Sequence, residues 1–357
     1  MKRFIIFGIL MLSIPSLLTA RSKNLNKNES EISIYTNEVT ISGALVEPAE
    51  KKSEALVIMI SGSGPQDRDE TLEGFGVFGV IADHLSSEGI ASCRYDDRGV
   101  GGSTGDFVNS TIDDLTEDVE GIMDYYLSNG YKEFILLGHS QGGIIAGKVA
   151  AQNDIVTGVI LMASTGVPLA DIVLSQVRLE STNSRIQRSL VESEVFAHNL
   201  LMRSIRTGSG VNKALEVFEE SVKKKLESEQ VGDPSEIQKM AKDITEEHRV
   251  VYSLPSLASF LYYDPIEDLE KLKVPVLALF GGNDQQVTIE QNKDRMEGAL
   301  IEAGVDYQAK TFEFANHLFQ KSQTGLRNEY IKLEKRFVEG FEAEISKWIL
   351  SLKPKSF

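Results

Sequence analysis

Two serines in this chain sit in a Gly-x-Ser-x-Gly frame, Ser140 in GHSQGG (138–143) and Ser103 in GGSTG (101–105). A serine hydroxyl is a weak nucleophile at neutral pH. It attacks a carbonyl only when a base takes its proton and a carboxylate orients that base. The chain offers five histidines as bases. His139 adjoins Ser140, but successive side chains diverge in a tight turn, so it reads as a packing residue. His84, His198 and His248 fall in helix-forming stretches. His317, in EFANHLFQ, follows a β-prone run and is the candidate base. The candidate acid is Asp284 in LALFGGNDQQV, directly after another β run, where an aspartate could equally serve only to close an Asx-turn. Its rival, Asp264 in YYDP, precedes a proline and lies before that run rather than after it. A negative oxygen developing on the substrate also needs two preorganised N–H donors. The backbone of Gln141, just after the nucleophile, supplies one; Ser63, in the glycine-rich SGSGPQDRDE, supplies the other.

These residues are useful only if the elements around them raise them to one edge. A nucleophilic serine on a sharp turn needs a buried strand before it and a helix after it. Ser140 has both, EFILLG (133–138) ahead and IIAGKVAAQ behind; Ser103 lies in a glycine-rich loop several residues past its strand, with no immediate helix. EISIYT and VTISGALVEP, separated by Asn-Glu, predict a β-hairpin. Beyond it the pattern alternates: ALVIMI (55–60), a helix over 72–88, IASCRY (90–95), a helix over 112–129, EFILLG, a helix over 141–152, and VTGVILMAS (156–164). Such alternation implies parallel strands with crossover helices, an open α/β sheet. It breaks near residue 166 and resumes at KVPVLALFGG (273–282), followed by YQAKTFEF (307–314) and a terminal helix over 328–352. The intervening hundred residues are charged, helix-prone and without a β run, and read as an inserted helical cap. The division expected is a core over 31–165 and 266–357 with a cap over 166–265. In open α/β sheets, ligand sites gather at the carboxyl ends of the strands, where Asp284 and His317 both fall.

Composition narrows the function classes. With 41% hydrophobic residues over 357 positions the chain can bury a large core, and a net charge of −16 argues against nucleic acid as a partner. MKRFIIFGILMLSIPSLLTA has the basic start, apolar stretch and small-residue end of a secretory signal over residues 1–20, followed by a polar linker over 21–30. A periplasmic or secreted location is expected, with no stable membrane partner after signal removal; an uncleaved anchor is the alternative. Cys93 is the only cysteine, so no intrachain disulfide can form, and its setting in IASCRY is that of a buried strand residue. Nothing in the sequence sets an oligomeric state.

Taken together, SGSGPQDRDE, YDDRGVGGSTG, GHSQGG, YYDPIEDLEKLKVPVLALFGGNDQQV and NHLFQ resemble the α/β-hydrolase superfamily, over nearly everything after residue 38. Within it they are similar to bacterial carboxylesterases related to serine aminopeptidase-like hydrolases. The resemblance implies an α/β-hydrolase fold, a mostly parallel central sheet flanked by helices with an inserted helical cap. It also implies Ser140 as nucleophile, Asp284 as acid, His317 as base, and backbone donors at Ser63 and Gln141. One departure concerns the second donor: many members carry His-Gly before it, and Ser61 stands in place of that histidine. The reaction implied is hydrolysis of small-molecule esters with small to medium acyl groups through an acyl-enzyme, without a metal or organic cofactor. An aminopeptidase, amidase or acyltransferase on the same fold is the alternative. A silent fold serving as a binding module is a remote one, since it would be expected to lack a member of the Ser-Asp-His set.

Overall fold

Hydrophobic runs and alternating runs become different kinds of strand. The computed structural model describes residues 28–183 and 186–353, so the signal segment and residues 21–27 of the linker lie outside it. β1 (Glu29–Thr36) and β2 (Val39–Val46) alternate between covered and exposed side chains and pair antiparallel. Asn37 and Glu38 between them have φ of 45° and 64°, the signs that a two-residue turn joining right-twisted strands requires. β1 begins at Glu29, so Glu29 and Ser30, expected in the linker, belong to the sheet: they complete the register with Val46 and Leu45. β3 (Ala55–Ile60) is buried at every position, as a strand covered on both faces must be.

The expected start of the first helix at residue 72 is corrected by a short hairpin, β4 (Thr71–Leu72) with β5 (Phe75–Gly76). Glu73 and Gly74 take φ of 49° and 80°, again a reversing turn, and a helix cannot run through it. α1 (Val77–Ser87) therefore starts later and leads into β6 (Ala91–Tyr95). α2 (Ile112–Ser128) starts at a capping box in which Thr111 and Asp114 bond each other's backbone. β7 (Glu133–His139), α3 (Gln141–Gln152) and β8 (Val156–Met162) follow without interruption.

After β8 the chain leaves for a second compact unit, Pro168–Tyr263, built from α4 (Leu169–Asn183), α5 (Arg188–Thr207), α6 (Val211–Ser228), α7 (Pro234–Ser253) and α8 (Pro255–Leu261). Its interior packs Leu201, Phe218, Ala241, Tyr252 and Phe260 and holds two polar pairs. His198 Nδ1 lies 2.6 Å from Tyr252 Oη, and Lys225 Nζ lies 2.7 Å from Glu194 Oε1.

The first unit then closes with α9 (Ile266–Leu269), β9 (Val276–Gly281), α10 (Ile289–Ala303), β10 (Tyr307–Phe312) and α11 (Phe341–Ser351). The terminal helix is shorter than the expected 328–352. Residues Arg327–Lys332 form a 3₁₀ turn, and Gly340 at φ 81° sets the point from which α11 can run. The eight-stranded sheet has the order β1-β2-β6-β3-β7-β8-β9-β10, with β6 through β10 and β3 parallel and β1-β2 antiparallel at one edge. Cys93 is buried in β6, where loss of solvation pushes its thiol up to about 12. Among the described residues no helix is long and apolar enough to cross a membrane.

Candidate active site

Ser140 terminates β7 and opens α3 at φ 53° and ψ −119°. A serine held in this region costs on the order of 1–3 kcal/mol, so the turn has to be over-determined by its surroundings. It is: the Ser140 N–H donates to Met162 O at 2.9 Å, and its carbonyl accepts from Gly143 N at 3.1 Å. The helix can pack this close only because residue 142 has no side chain. A Cβ on Gly142 would lie 2.3 Å from Ile60 O and 2.4 Å from Ser61 O. Ser103, the other candidate of the same frame, is buried in a structural loop, donating to Asp96 O at 2.7 Å and accepting from Ser42 N at 2.8 Å.

Asp284 and His317 come from the loops after β9 and β10 and meet with Nδ1 to Oδ2 at 2.7 Å, both residues buried. Asp284 makes the Asx-turn as well: Oδ1 accepts from Gln286 N at 2.8 Å and Val287 N at 3.0 Å. The turn locks the carboxylate so that its second oxygen is left for the imidazole. The His317 loop is shaped by Asn316, whose Oδ1 accepts from Leu318 N and Gln320 N at 3.0 and 2.9 Å. With Nδ1 taken by Asp284, Nε2 is the ring nitrogen free for proton transfer. Ser140 Oγ makes no hydrogen bond among the described residues; such contacts commonly tighten only when substrate binds. Asp264 pairs instead with Arg295 at 2.6 Å, and His84 bonds Ser346 Oγ at 3.0 Å.

The donor loop after β3 is tied down along its length. Ser61 Oγ donates to Asp97 at 3.0 Å, Gln66 N donates to Asp97 Oδ2 at 2.8 Å, and Arg68 N donates to Asp96 Oδ1 at 2.8 Å. Burial pushes the Asp97 carboxyl well above the usual range despite those donors. Ser61, which stands where the superfamily often has histidine, is thus an anchor for the loop. The Gly62 N–H is consumed by Glu70 Oε1 at 2.8 Å, whereas the N–H groups of Ser63 and Gln141 have no acceptor among the described residues. These two are free to receive a substrate oxygen.

His139 does more than pack. Its ring is buried, with Nδ1 2.7 Å from Glu70 Oε1 and Nε2 3.1 Å from His317 O, and its centroid lies 4.8 Å from that of His317. Burial lowers its basicity, but the charge and hydrogen bond of Glu70 outweigh this and leave it raised. Sequence pattern singles out neither Glu70 nor Asp97. The one available signal is the density of carboxylates in PQDRDE and YDDRG, two loops in which the acids outnumber the single arginine of each.

Comparison with known proteins gives a consistent picture. The pattern of the family described as "Serine aminopeptidase, S33" matches residues 71–320. Esterase EstD of Thermotoga maritima is 23% identical over 348 residues, covering 92% of this chain and 72% of that protein. Among solved structures, the Pyrococcus furiosus esterase Pf2001 superposes with a TM-score of 0.53 at 13% identity, covering 91% of each chain. Proline iminopeptidase of Mycobacterium smegmatis gives 0.52 at 14%, covering 90% of this chain and 97% of that one. The esterase EaEST of Exiguobacterium antarcticum gives 0.52 at 16%, covering 90% and 100%. At these identities the superpositions speak to the fold, an α/β-hydrolase fold.

Proposed function

The chain belongs to the serine aminopeptidase S33 family of hydrolases, and from that premise we propose that it is a serine esterase acting on small-molecule carboxylic esters through an acyl-enzyme on Ser140. The observation that carries the reading is the conjunction at one sheet edge of a strained serine turn with the bonded pair Asp284–His317 and two unengaged N–H donors. In this reading His317 Nε2 takes the proton from Ser140 Oγ as the oxygen attacks the ester carbonyl. The N–H groups of Ser63 and Gln141 receive the negative oxygen. His317 then protonates the departing alcohol, and the same nitrogen deprotonates water to release the acid. Asp284 fixes the imidazole tautomer and stabilises its cation.

Esters are preferred over amides because EstD and two of the structural neighbours are esterases by name. The family description and the iminopeptidase neighbour favour a second reading, cleavage of an aminoacyl bond. Nitrophenyl esters of increasing acyl length, assayed beside aminoacyl amides, separate the two. Turnover of short and medium esters is expected, and faster cleavage of the amides would replace the first reading by the second. A fluorophosphonate should label Ser140 and no other residue, with label absent from Ser140→Ala.

A further inference from the structure

A second acid–histidine pair lies directly behind the first, and the chemistry just described leaves it without a part. Glu70 Oε1 accepts from the Gly62 N–H at 2.8 Å and sits 2.7 Å from His139 Nδ1; His139 Nε2 lies 3.1 Å from the carbonyl oxygen of His317. One carboxylate and one imidazole thereby touch three loops: the donor loop one residue before Ser63, the turn one residue before Ser140, and the base loop at His317 itself. We propose that Glu70 and His139 act as a single positioning unit that holds these three loops in catalytic register. The inference rests on the reading of Ser140, Asp284 and His317 as the reacting group.

Hydrogen-bond direction is fixed at one of the two ring nitrogens. A carbonyl oxygen only accepts, so His139 Nε2 carries a proton. Nδ1 faces the Glu70 carboxyl at 2.7 Å, a contact that raises the basicity of the ring. One nitrogen is thus held by an acid and the other by the backbone of the His317 loop. Closeness matters as well. A Cβ placed on Gly62 would lie 3.0 Å from Glu70 Oε1, 3.2 Å from Ser140 Cβ and 3.5 Å from His139 Nδ1, so the glycine is what allows acid and nucleophile to share one small volume.

Stability alone is a poor explanation for this arrangement. Glu70 is 1% exposed, and its Oε2 has no partner among the described residues. Its backbone is in the left-handed region at φ 47°, unfavourable for a residue with a side chain. A buried ion pair seldom adds stability over well-packed apolar groups of the same volume. Strain, a buried carboxyl and an unpartnered oxygen are tolerable together where displacement of reacting groups would cost more in rate than they cost in folding.

The test is the kinetics of Glu70→Gln, His139→Asn and the double variant in the full chain, on a nitrophenyl ester, at a temperature where circular dichroism shows each variant folded. Glu70→Gln keeps an acceptor for Gly62 and removes the carboxyl that faces His139. Each single variant should lose about tenfold to hundredfold in kcat with KM changed by less than about threefold, as expected for misplaced groups. The double variant should lose no more than the worse single one, because a unit broken once is broken. Glu70→Asp, which keeps the carboxyl but withdraws it by one methylene, should also lower kcat and serves if Glu70→Gln does not fold. The proposal is overturned by kcat within about twofold of the parent in folded Glu70→Gln, by losses confined to KM, or by losses that multiply in the double variant. It is overturned equally if none of these variants folds, since the pair is then a folding requirement. Failure of the underlying reading looks different: Ser140→Ala would retain turnover, whatever Glu70 does.

Discussion

Asp284 Oδ2 lies 2.7 Å from His317 Nδ1, although 33 positions separate the two residues and each belongs to its own loop. The other oxygen of Asp284 is fully committed to the backbone N–H groups of Gln286 and Val287. One side chain therefore closes its own turn and orients a distant imidazole. The two oxygens have separate partners, backbone N–H groups on one and the imidazole on the other.

That division makes Asp284→Asn an informative substitution. Asparagine can keep Oδ1 on Gln286 and Val287 and so preserve the turn. Its amide nitrogen would face His317 Nδ1 as a donor and favour the wrong tautomer. A fall in kcat of roughly 10⁴-fold is expected by analogy with protease triads. The melting temperature should move by no more than a few degrees; a large drop would show that the turn was lost with the charge.

The two serines in the same sequence frame should separate cleanly. Ser140→Ala should remove ester turnover by about three orders of magnitude or more, with the fold kept. Ser103→Ala should leave kcat near that of the parent and cost about 1–2 kcal/mol of stability, because it leaves the Ser42 N–H without its acceptor. Chemical denaturation and initial rates measured on both variants check the pair of outcomes.

Asp97 is expected to matter for the donor loop without touching substrate. Asp97→Ala would strip acceptors from Ser61 Oγ and Gln66 N, two groups in buried positions. A loss of about 1–3 kcal/mol should follow, together with slower labelling by fluorophosphonate as the Ser63 N–H loses its fixed place. Wild-type labelling in a destabilised Asp97→Ala would restrict the residue to a folding role.

Acid should weaken the helical unit. Burial pushes His198 well below its ordinary value, with the charges of His248 and Lys225 adding to the effect. Burial also lowers His248, against the carbonyl of Ile244 and the charges of Glu247 and Glu194. In the unfolded chain both titrate near about 6.5. Above that value folded and unfolded chains are both neutral at these sites, and their contribution is fully present. As pH falls through about 6.5 toward the lower folded values, the unfolded chain takes up protons that the folded one refuses, and stability drops by up to about 1.4 kcal/mol per pH unit for each histidine. Calorimetry of the full chain from pH 8 to pH 5 should show the loss, and His198→Gln, which can still accept from Tyr252, should reduce its slope.

Much of this is legible along the chain itself. The apolar runs ALVIMI, FILLG and VLALFG read as strands covered on both faces, and their alternation with amphipathic helices requires crossovers and hence a parallel sheet. Strand, turn and helix around GHSQGG are local features, which is why Ser140 stands apart from Ser103 in the sequence itself. Asp284 and His317 stand out as candidates for a similar reason, since each follows a strand whose direction is readable. Periodicity places helix starts at 72 and 328 too early, because single residues in the left-handed region, Glu73 with Gly74 and then Gly340, override a pattern that tolerates them. Only the tertiary structure decides which oxygen of Asp284 meets His317, that Glu70 takes the Gly62 N–H so that Ser63 stands next in line, and that His139 carries a bond to the base loop. Those facts depend on side-chain directions in loops, across 33 and 178 positions for the two histidine contacts and across eight for Glu70 and Gly62. Periodicity encodes which face of an element is buried, but it carries no information on where two separate loops bring their polar atoms together.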